Sequence, residues 1–239
     1  MPTVYKGLTV SVVIPCFNEE RGIGAVLSGM PAYVDEVIVV DNNSADGTAR
    51  IAQAHGARVV HEARKGYGSA YQAGLPQATG DIIATLDGDG TYPAAEIAPI
   101  LDWMLARQVD FVSASRFPLR TPAAMSSRSL LGNRILTAVT RLLWWTPLHD
   151  SQSGMWVFRR AMLRRLRLTR LGMPFSEEIK LEAMRCPGYR FAEYPIGYAE
   201  RIGESKLFPF QNGLENLLFL FQLRFNLRRN ARPLVRDGE

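Results

Sequence analysis

Short apolar runs alternate with longer helical segments over the first half of the chain, and this alternation limits the possible folds more than any other feature. The apolar runs span residues 8–14, 36–40, 57–61, 82–86 and 110–114. Each has the length of a buried strand, and the segments between them carry helical patterns. Strands separated by helices of roughly ten to fifteen residues predict βαβ units, and therefore an α/β fold with a mostly parallel sheet flanked by helices.

The remaining predicted elements indicate one domain and a C-terminal extension. Helices are predicted at 19–30, 46–55, 67–78, 94–107, 126–145 and 175–185, and further strands at 154–158 and 189–194. The segment 213–227 is amphipathic or uniformly apolar, and four arginines follow it: Arg228, Arg229, Arg232 and Arg236. We therefore predict one domain over residues 1–210, with a C-terminal helix and basic tail over residues 211–239.

Composition and cysteine usage predict an ordinary globular protein of a reducing compartment. The 239 residues are 47% hydrophobic, enough for a sizeable core. Cys16 and Cys186 lack metal-type spacing and fit small buried residues. No charged-then-apolar segment follows Met1, and the longest bulky apolar run, 217–221, is far below the ~20 residues that span a bilayer. We therefore expect a cytoplasmic location.

Charge is distributed unevenly along the chain. Residues 1–110 carry a balance of −6 and residues 111–239 a balance of +11. A basic second half indicates an anionic partner such as a membrane surface or a phosphorylated substrate. Six arginines between Arg159 and Arg170 form either a binding patch or a solvated helix face. Nucleic acid is excluded as a partner because no aromatic stacking platform, helix-turn-helix or zinc pattern accompanies the arginines.

Polar residues follow the predicted strands at the points where they end. They occupy 15–19, 41–44 and 87–89, and Arg116 follows the fifth strand. Ligands of such sheets bind beyond the carboxyl ends of the strands. Asp87 and Asp89, one residue apart, suit a hard dication that also holds a diphosphate, although a solvated Asp-Gly turn has the same sequence. Gly88 and Gly90 would leave room for a ligand near the backbone.

Five motifs in order resemble those of family 2 glycosyltransferases with the GT-A fold. The resemblance runs from Val10 to the end of the 201–206 segment. It is strongest to the branch containing dolichol-phosphate mannose synthase and polyprenyl-phosphate glucosyltransferases. The motifs are the segments 13–20 (VIPCFNEE), 40–48 (VDNNSADGT), Lys65-Gly66 with Gly68, 87–93 (DGDGTYP), and 150–154 (DSQSG) followed by 201–206 (RIGESK).

The resemblance implies a donor site for a UDP- or GDP-hexose with Mg²⁺ or Mn²⁺. Asp87 and Asp89 would hold the metal against the diphosphate. Arg201 and Lys206 would close over the phosphates, unless they only form surface ion pairs with neighbouring glutamates. The residues implied to border the nucleotide are Pro15, Asn18, Glu19, Asp41, Lys65 and Gly66.

The resemblance also implies an acceptor, polyprenyl phosphate, which is mostly dianionic at neutral pH and needs cationic anchoring more than a base. Arg116, Arg128 and Arg134 are the candidates for anchoring, or they decorate a helix. Asp150 would orient the acceptor, or act as a base if the acceptor is a hydroxyl. The residues predicted to be catalytic are thus Asp89, Arg116, Arg134 and Asp150.

Two departures from the resemblance matter. Dolichol-phosphate mannose synthases commonly carry a glutamine where this chain has Thr91. This difference leaves open which residues bind the metal and which nucleotide sugar is the donor. Larger lipid-linked relatives carry transmembrane helices that this sequence lacks. The segment 213–227 would instead lie in the membrane interface, with the arginines after it meeting anionic headgroups, or it packs onto the catalytic domain.

Three functional hypotheses follow from the sequence. The favoured one is metal-dependent, inverting transfer of a hexose from a nucleotide sugar to polyprenyl phosphate, by a protein peripheral to the inner membrane face. The second is the same enzyme acting on a soluble or glycan hydroxyl. The third is a non-catalytic protein that binds nucleotide sugars, which the intact acidic pair and phosphate-loop residues disfavour.

Overall fold

Seven strands form one sheet, in the order β3-β2-β1-β4-β6-β5-β7. The computed structural model describes residues 5–204 and 209–225. The strands are β1 (Val10–Cys16), β2 (Glu36–Asp41), β3 (Arg58–His61), β4 (Ile82–Thr85), β5 (Phe111–Ser115), β6 (Trp156–Arg159) and β7 (Phe191–Pro195).

Seven α-helices connect or cover the strands. They are α1 (Ile23–Ser28), α2 (Thr48–Ala54), α3 (Tyr67–Gly74), α4 (Ile97–Ala106), α5 (Ser127–Trp144), α6 (Phe175–Met184) and α7 (Pro209–Arg224). The helix α7 begins two residues before the predicted boundary of the C-terminal extension. The arginines predicted to follow it lie outside the described residues, as does Lys206.

The strand pairing confirms the predicted α/β class with a mostly parallel sheet. Neighbours β1, β2, β3 and β4 run parallel, with Val12 opposite Val37 on one side and Ala84 on the other. The strand β6 is antiparallel to both of its neighbours, β4 and β5, whereas β5 and β7 are parallel. An apolar run does not reveal its direction, so the reversal at β6 was not predictable from the sequence.

Two apolar layers cover the two faces of the sheet. On one face α1, α2 and α4 pack through side chains such as Ile23, Ala52 and Ile100. On the other, α3 and α6 pack through Tyr71 and Phe175, whose rings stack 5.5 Å apart. A third, smaller cluster joins α5, α6 and α7 outside the second layer; its buried members are Leu136, Leu181, Phe219, Leu220 and Leu223.

Two predicted helical segments differ from the structure. The helix predicted at 19–30 begins only at Ile23, because Asn18 has a left-handed backbone (φ +55°) and the Glu19 carbonyl accepts from Gly22 and Ile23 in a turn. The arginines from Arg159 onward do not share one helix face, since β6 ends at Arg159 and a short 3₁₀ turn follows at Arg160–Arg164. Within the described residues, no helix combines the length and apolarity needed to cross a bilayer.

Candidate active site

A cavity of about 500 Å³ opens at the carboxyl ends of β1, β2 and β4, where the sequence predicts it. Eight of the predicted site residues line it: Pro15, Glu19, Lys65, Gly66, Asp87, Asp89, Arg116 and Arg201. A second cavity, of about 700 Å³, lies near Leu8 and Asp81 at the opposite ends of the strands and includes none of the predicted site residues. The chemistry therefore belongs to the first cavity.

The carboxylate of Asp89 is buried and fully engaged. Its Oδ1 accepts from the backbone N–H of Thr91 at 2.9 Å and from the Thr91 hydroxyl at 2.7 Å. Its Oδ2 lies 2.6 Å from Nη2 of Arg201, whose Nη1 is 3.9 Å from Oε1 of Glu19. Thr91 thus orients Asp89 through two hydrogen bonds.

Asp87 lies in a different electrostatic environment from Asp89. Burial, and next the nearby charge of Asp89, raise the pKa of Asp87 to about 7, although Arg201 and Arg116 oppose that rise. Its Oδ1 accepts from the Tyr67 hydroxyl at 3.4 Å. Two acidic groups this close and this buried cannot both hold full charge without a cation between or beside them.

The two carboxylates fit a shared divalent cation rather than a cation held by protein alone. Among the described residues, no group of three His, Cys, Asp or Glu side chains could form a metal cage. Asp87 and Asp89 supply only oxygen ligands, and they face a cavity large enough for a diphosphate. One or two carboxylates completed by phosphate oxygens and water is the usual arrangement for Mg²⁺.

The glycines of the acidic motif are explained by the protein itself. A Cβ on Gly88 would lie 2.6 Å from the Cys16 sulfur, so the tight packing of this loop on β1 requires glycine. Gly90 has φ +78°, which glycine adopts without strain. The prediction that both glycines leave room for a ligand is therefore not needed to explain them.

Asn42 holds the loop that carries Lys65 and Gly66. Its Nδ2 donates to the carbonyls of Glu62 (3.0 Å) and Arg64 (2.7 Å), and its Oδ1 accepts from the Gly66 N–H at 2.8 Å. The Lys65 ammonium lies 5.2 Å from the centre of the Phe17 ring, across the cavity mouth. Asn42 was not predicted as a site residue, although it lies within the 40–48 motif.

Asn18 and Asp41 lie beside the cavity but do not line it. Asn18 Oδ1 accepts from the Ala45 N–H at 2.8 Å, which joins the loops after β1 and β2. Asp41 is buried, with Oδ1 accepting from the Ser44 N–H and Oδ2 lying 3.1 Å from Nδ1 of His61. In this structure both residues shape the loops that border the cavity.

Arg116 and Asp150 form a buried, bidentate ion pair. Asp150 accepts from Arg116 Nε at 2.8 Å, from Nη2 at 2.7 Å and from the Arg116 backbone N–H at 3.0 Å. Burial alone would raise the pKa of Asp150, but Arg116 holds it below its usual range. Arg116 lines the cavity beneath Tyr198, 5.4 Å from the ring centre, whereas Asp150 lies behind Arg116 and is fully buried.

Arg128 and Arg134 are exposed on α5 and do not line the cavity. Their positions follow from the helix, because its buried side is formed by Leu136, Thr137 and Thr140. At about 100° per residue, Arg128 and Arg134 each point more than about 100° away from the centre of that side. The structure therefore brings Arg116, but not Arg134, to the cavity.

The far wall of the cavity comes from residues that the sequence analysis missed. Gln152 lines it from the 150–154 segment, Met173 and Ser176 from the start of α6, and Asn212 and Glu215 from α7. The sequence predicted an amphipathic or uniformly apolar segment over 213–227, but such a pattern does not say which partner a helix meets. Only the packing of α7 on α5 places these polar side chains at the site.

The sequence model for Glycosyl transferase family 2 matches residues 11–167, more than half of the chain. The chain belongs to this family. It is a glycosyltransferase, as the sequence motifs predicted, and the matched region contains the acidic pair, the loop of Lys65 and the buried ion pair.

Curated relatives match a larger share of the chain than the family model does. A dolichyl-phosphate hexose transferase of Haloferax volcanii is 35% identical over 214 residues, covering 88% of this chain and 92% of the relative. A polyprenol monophosphomannose synthase of Mycolicibacterium smegmatis is 27% identical over 213 residues, covering 82% and 80%.

A solved structure confirms the GT-A fold. Glucosyl-3-phosphoglycerate synthase of Mycobacterium tuberculosis, crystallised with Mn²⁺, UDP and glucosyl-3-phosphoglycerate, superposes with a TM-score of 0.72. It is 24% identical, and the match covers 94% of this chain and 82% of that one.

Proposed function

We propose that this glycosyltransferase moves a hexose from a nucleoside diphosphate sugar to a polyprenyl phosphate, with inversion and with a divalent cation at Asp87 and Asp89. One observation carries the acceptor assignment: α7 lines the cavity with Asn212 and Glu215 and exposes a stripe of large apolar side chains on its outer side. A cavity walled by such a helix suits a substrate with a polar head and a lipid tail.

The donor half of the proposal rests on the charges around the acidic pair. A nucleoside diphosphate would lie between the loop of Lys65 and Gly66 and the carboxylates, with Arg201 and Arg116 also lining that space. A bound dication would neutralise charge that develops on the departing diphosphate. Both arginines add positive charge at that point, which stabilises the same transition state.

The acceptor half needs no strong base within the chain. A phosphate monoester is already largely ionised at pH 7, so its oxygen can attack the anomeric carbon as the bond to the diphosphate breaks. Attack from the face opposite the leaving group inverts the anomeric centre. The names of the two curated relatives, a dolichyl-phosphate hexose transferase and a polyprenol monophosphomannose synthase, agree with this acceptor class.

The proposal is tested by following radiolabelled hexose from UDP- and GDP-sugars in the presence of Mn²⁺. The label should move into an organic extract when a short-chain polyprenyl phosphate is the acceptor, and the product should be lost when EDTA is added. Transfer only to water-soluble alcohols or glycans would overturn the lipid acceptor and favour the hydroxyl alternative.

We further propose that α5 and α7 rest on an anionic lipid surface. On α7 the exposed apolar residues recur at helical spacing, at Phe210, Leu214, Leu218, Phe221 and Phe225, and on α5 at Leu131, Ile135, Leu142 and Trp145. The helix α5 carries three arginines and no acidic residue, and the only acid of α7, Glu215, lines the cavity. Apolar stripes bordered by cations are typical of interfacial helices.

Introducing acids on these stripes should release the protein from membranes. Leu142→Glu with Leu218→Glu removes two exposed apolar side chains and adds two charges, each opposed by ~1 kcal/mol near an anionic surface. We expect at least about a tenfold loss of co-sedimentation with vesicles of phosphatidylcholine and phosphatidylglycerol.

The matched control adds the same two charges on the opposite side of the sheet. Gln53→Glu with Ala54→Glu places them on exposed positions of α2. This variant changes the net charge but not the proposed lipid-facing surface, so it should bind vesicles within about twofold of the unaltered protein. Equal binding by both double variants would contradict the proposed orientation.

A further inference from the structure

Gln152 lines the cavity, and hydrogen bonds within the protein fix the orientation of its side-chain amide. Its Oε1 accepts from Nδ2 of Asn216 at 2.7 Å. Its Nε2 donates to the Ser151 hydroxyl at 3.0 Å and to Oε1 of Glu177. Its backbone N–H donates to Oδ1 of Asp150 at 3.2 Å. A solvent-exposed glutamine side chain would rotate freely. The hydrogen bonds to Asn216, Ser151 and Glu177, which clamp the Gln152 amide, therefore call for an explanation.

The residues that clamp Gln152 are themselves buried. Glu177 and Asn216 are almost completely inaccessible, and each retains one oxygen that meets no hydrogen-bond partner among the described residues, Oε2 and Oδ1 respectively. Buried unpaired oxygens are costly. Leucine at position 216 would avoid that cost, so the stability of the protein does not account for the polar contact that Asn216 makes with Gln152.

Hydrogen bonds with buried side chains also fix the backbone of the segment that carries Gln152. The fully buried ammonium of Lys180 donates to the Ser153 carbonyl at 2.9 Å and approaches the Asp150 carbonyl at 3.4 Å. The Gly154 N–H donates to the Tyr92 hydroxyl at 2.8 Å. Hydrogen bonds to buried side chains therefore fix the segment 150–154, from which Gln152 lines the cavity.

The chemistry of the clamped amide limits what it can bind. Both N–H groups of Gln152 are used internally, so only a remaining lone pair of Oε1 is available to a ligand. An acceptor of this kind binds a hydroxyl and not a phosphate, because phosphate oxygens at neutral pH are acceptors too. In the structure the Nε2 end of the amide faces the Glu177 carboxyl and the Ser151 hydroxyl, and the Oε1 end faces Nδ2 of the buried Asn216.

The position of Gln152 matches the place of the transferred sugar. Gly154, two residues further on, lies against Asp87: a Cβ there would be 3.5 Å from both carboxylate oxygens. The hexose of a donor whose diphosphate shares a cation with Asp87 would therefore lie near the 150–154 segment. Lys65 and Phe17, where the nucleotide is proposed to bind, line the same cavity.

We propose that Gln152 determines hexose specificity by accepting a hydrogen bond from one sugar hydroxyl, and that Glu177 and Asn216 are positioning residues that hold its amide for this purpose. This inference rests on the proposed use of a nucleotide hexose. It extends that function to the discrimination between sugars, and it assigns a role to α7 through Asn216.

The test measures binding, so that it does not depend on the acceptor. Isothermal titration with Mn²⁺ compares UDP and GDP with their glucose and mannose conjugates and with monodeoxy analogues of the better hexose. In the unaltered protein one deoxy analogue should bind about tenfold more weakly than the parent. In Gln152→Met, a variant of similar length, that analogue and the parent should bind equally, while the affinity for the nucleoside diphosphate stays within about twofold.

The positioning role is tested with two variants of α7. Asn216→Leu removes the donor to Gln152 and should reduce the discrimination against the same analogue by at least about threefold. Gln222→Leu, which removes only the hydrogen bond from Arg170 Nη2 at 2.9 Å, should leave it unchanged. Equal effects of the two variants would show that loosening α7, and not the contact with Gln152, is responsible, and would overturn the positioning role.

Two results would overturn the specificity role itself: unchanged discrimination in Gln152→Met, or an equal loss of affinity for the nucleoside diphosphate and its hexose. Failure of the unaltered protein to bind any nucleotide hexose more tightly than its nucleoside diphosphate would overturn it as well. Hexose binding without transfer to polyprenyl phosphate would contradict only the proposed acceptor, so the two failures are distinguishable.

Discussion

Asp89→Asn should lower kcat/KM for hexosyl transfer by about a thousandfold, the size expected when about 4 kcal/mol of electrostatic stabilisation is lost. The substitution keeps an oxygen that can accept both hydrogen bonds from Thr91, so the loop should hold its shape. It removes the negative charge that faces Arg201 and the cavity. The measurement is steady-state transfer, together with Mn²⁺ affinity in the presence of nucleotide.

The control for this variant is Asp102→Asn. Asp102 is exposed on α4, where it accepts from Tyr5 and Lys6 at 2.6 Å, far from the cavity. Its removal should change transfer less than twofold, since exposed ion pairs contribute only about 0–1 kcal/mol to stability. If Asp89→Asn kept more than a tenth of the activity, or if donor hydrolysis persisted unchanged, the metal-dependent mechanism would be wrong.

Asp150→Asn should destabilise the protein by about 3–5 kcal/mol, because it leaves the buried guanidinium of Arg116 without its counter-charge. For a chain of this size that corresponds to a fall in Tm of roughly 10 °C. The loss arises because an amide nitrogen would face N–H donors of Arg116 that now contact carboxylate oxygens at 2.7 and 2.8 Å. Thermal and urea unfolding would measure it directly.

A double variant separates the structural role of Asp150 from a chemical one. Arg116→Met with Asp150→Leu replaces the ion pair by apolar side chains and should recover most of the lost stability, as buried pairs often tolerate such replacement. Its transfer activity should remain low, because Arg116 lines the cavity. If Asp150→Asn instead melted normally but were inactive, Asp150 would be acting as a base, and a hydroxyl acceptor would gain support.

Parts of the site that depend on one strand and its following loop were predictable from the sequence. Asp87 and Asp89 end β4, and parallel strands bring their carboxyl ends to one edge, so pattern alone placed the acidic pair. Parts that depend on packing between distant elements were not. Asn216 meets Gln152 across 64 positions of sequence, and no local pattern indicates that contact.

The same distinction between local pattern and long-range packing explains why the positions of Arg134 and Asp150 were not predicted. The resemblance placed Asp150 near the acceptor, and the sequence made Arg134 a candidate anchor for it. Neither could supply the rotation of α5, which turns Arg134 outward, or the depth of Asp150 behind Arg116. Rotation and depth are set by which side chains fill the core, here Leu136 and Thr140 for α5. A motif fixes which residues are present at a site more reliably than which atoms face the substrate.

The contact between Arg201 and Asp89 affects the order in which the metal ion and the nucleotide are expected to bind. With Oδ1 accepting twice from Thr91 and Oδ2 paired with a guanidinium, Asp89 has little affinity left for a dication arriving alone. An incoming diphosphate offers Arg201 a stronger anionic partner and so frees that oxygen. Arg201 therefore neutralises Asp89 until a nucleotide binds. We expect divalent ions to bind together with the nucleotide and not before it.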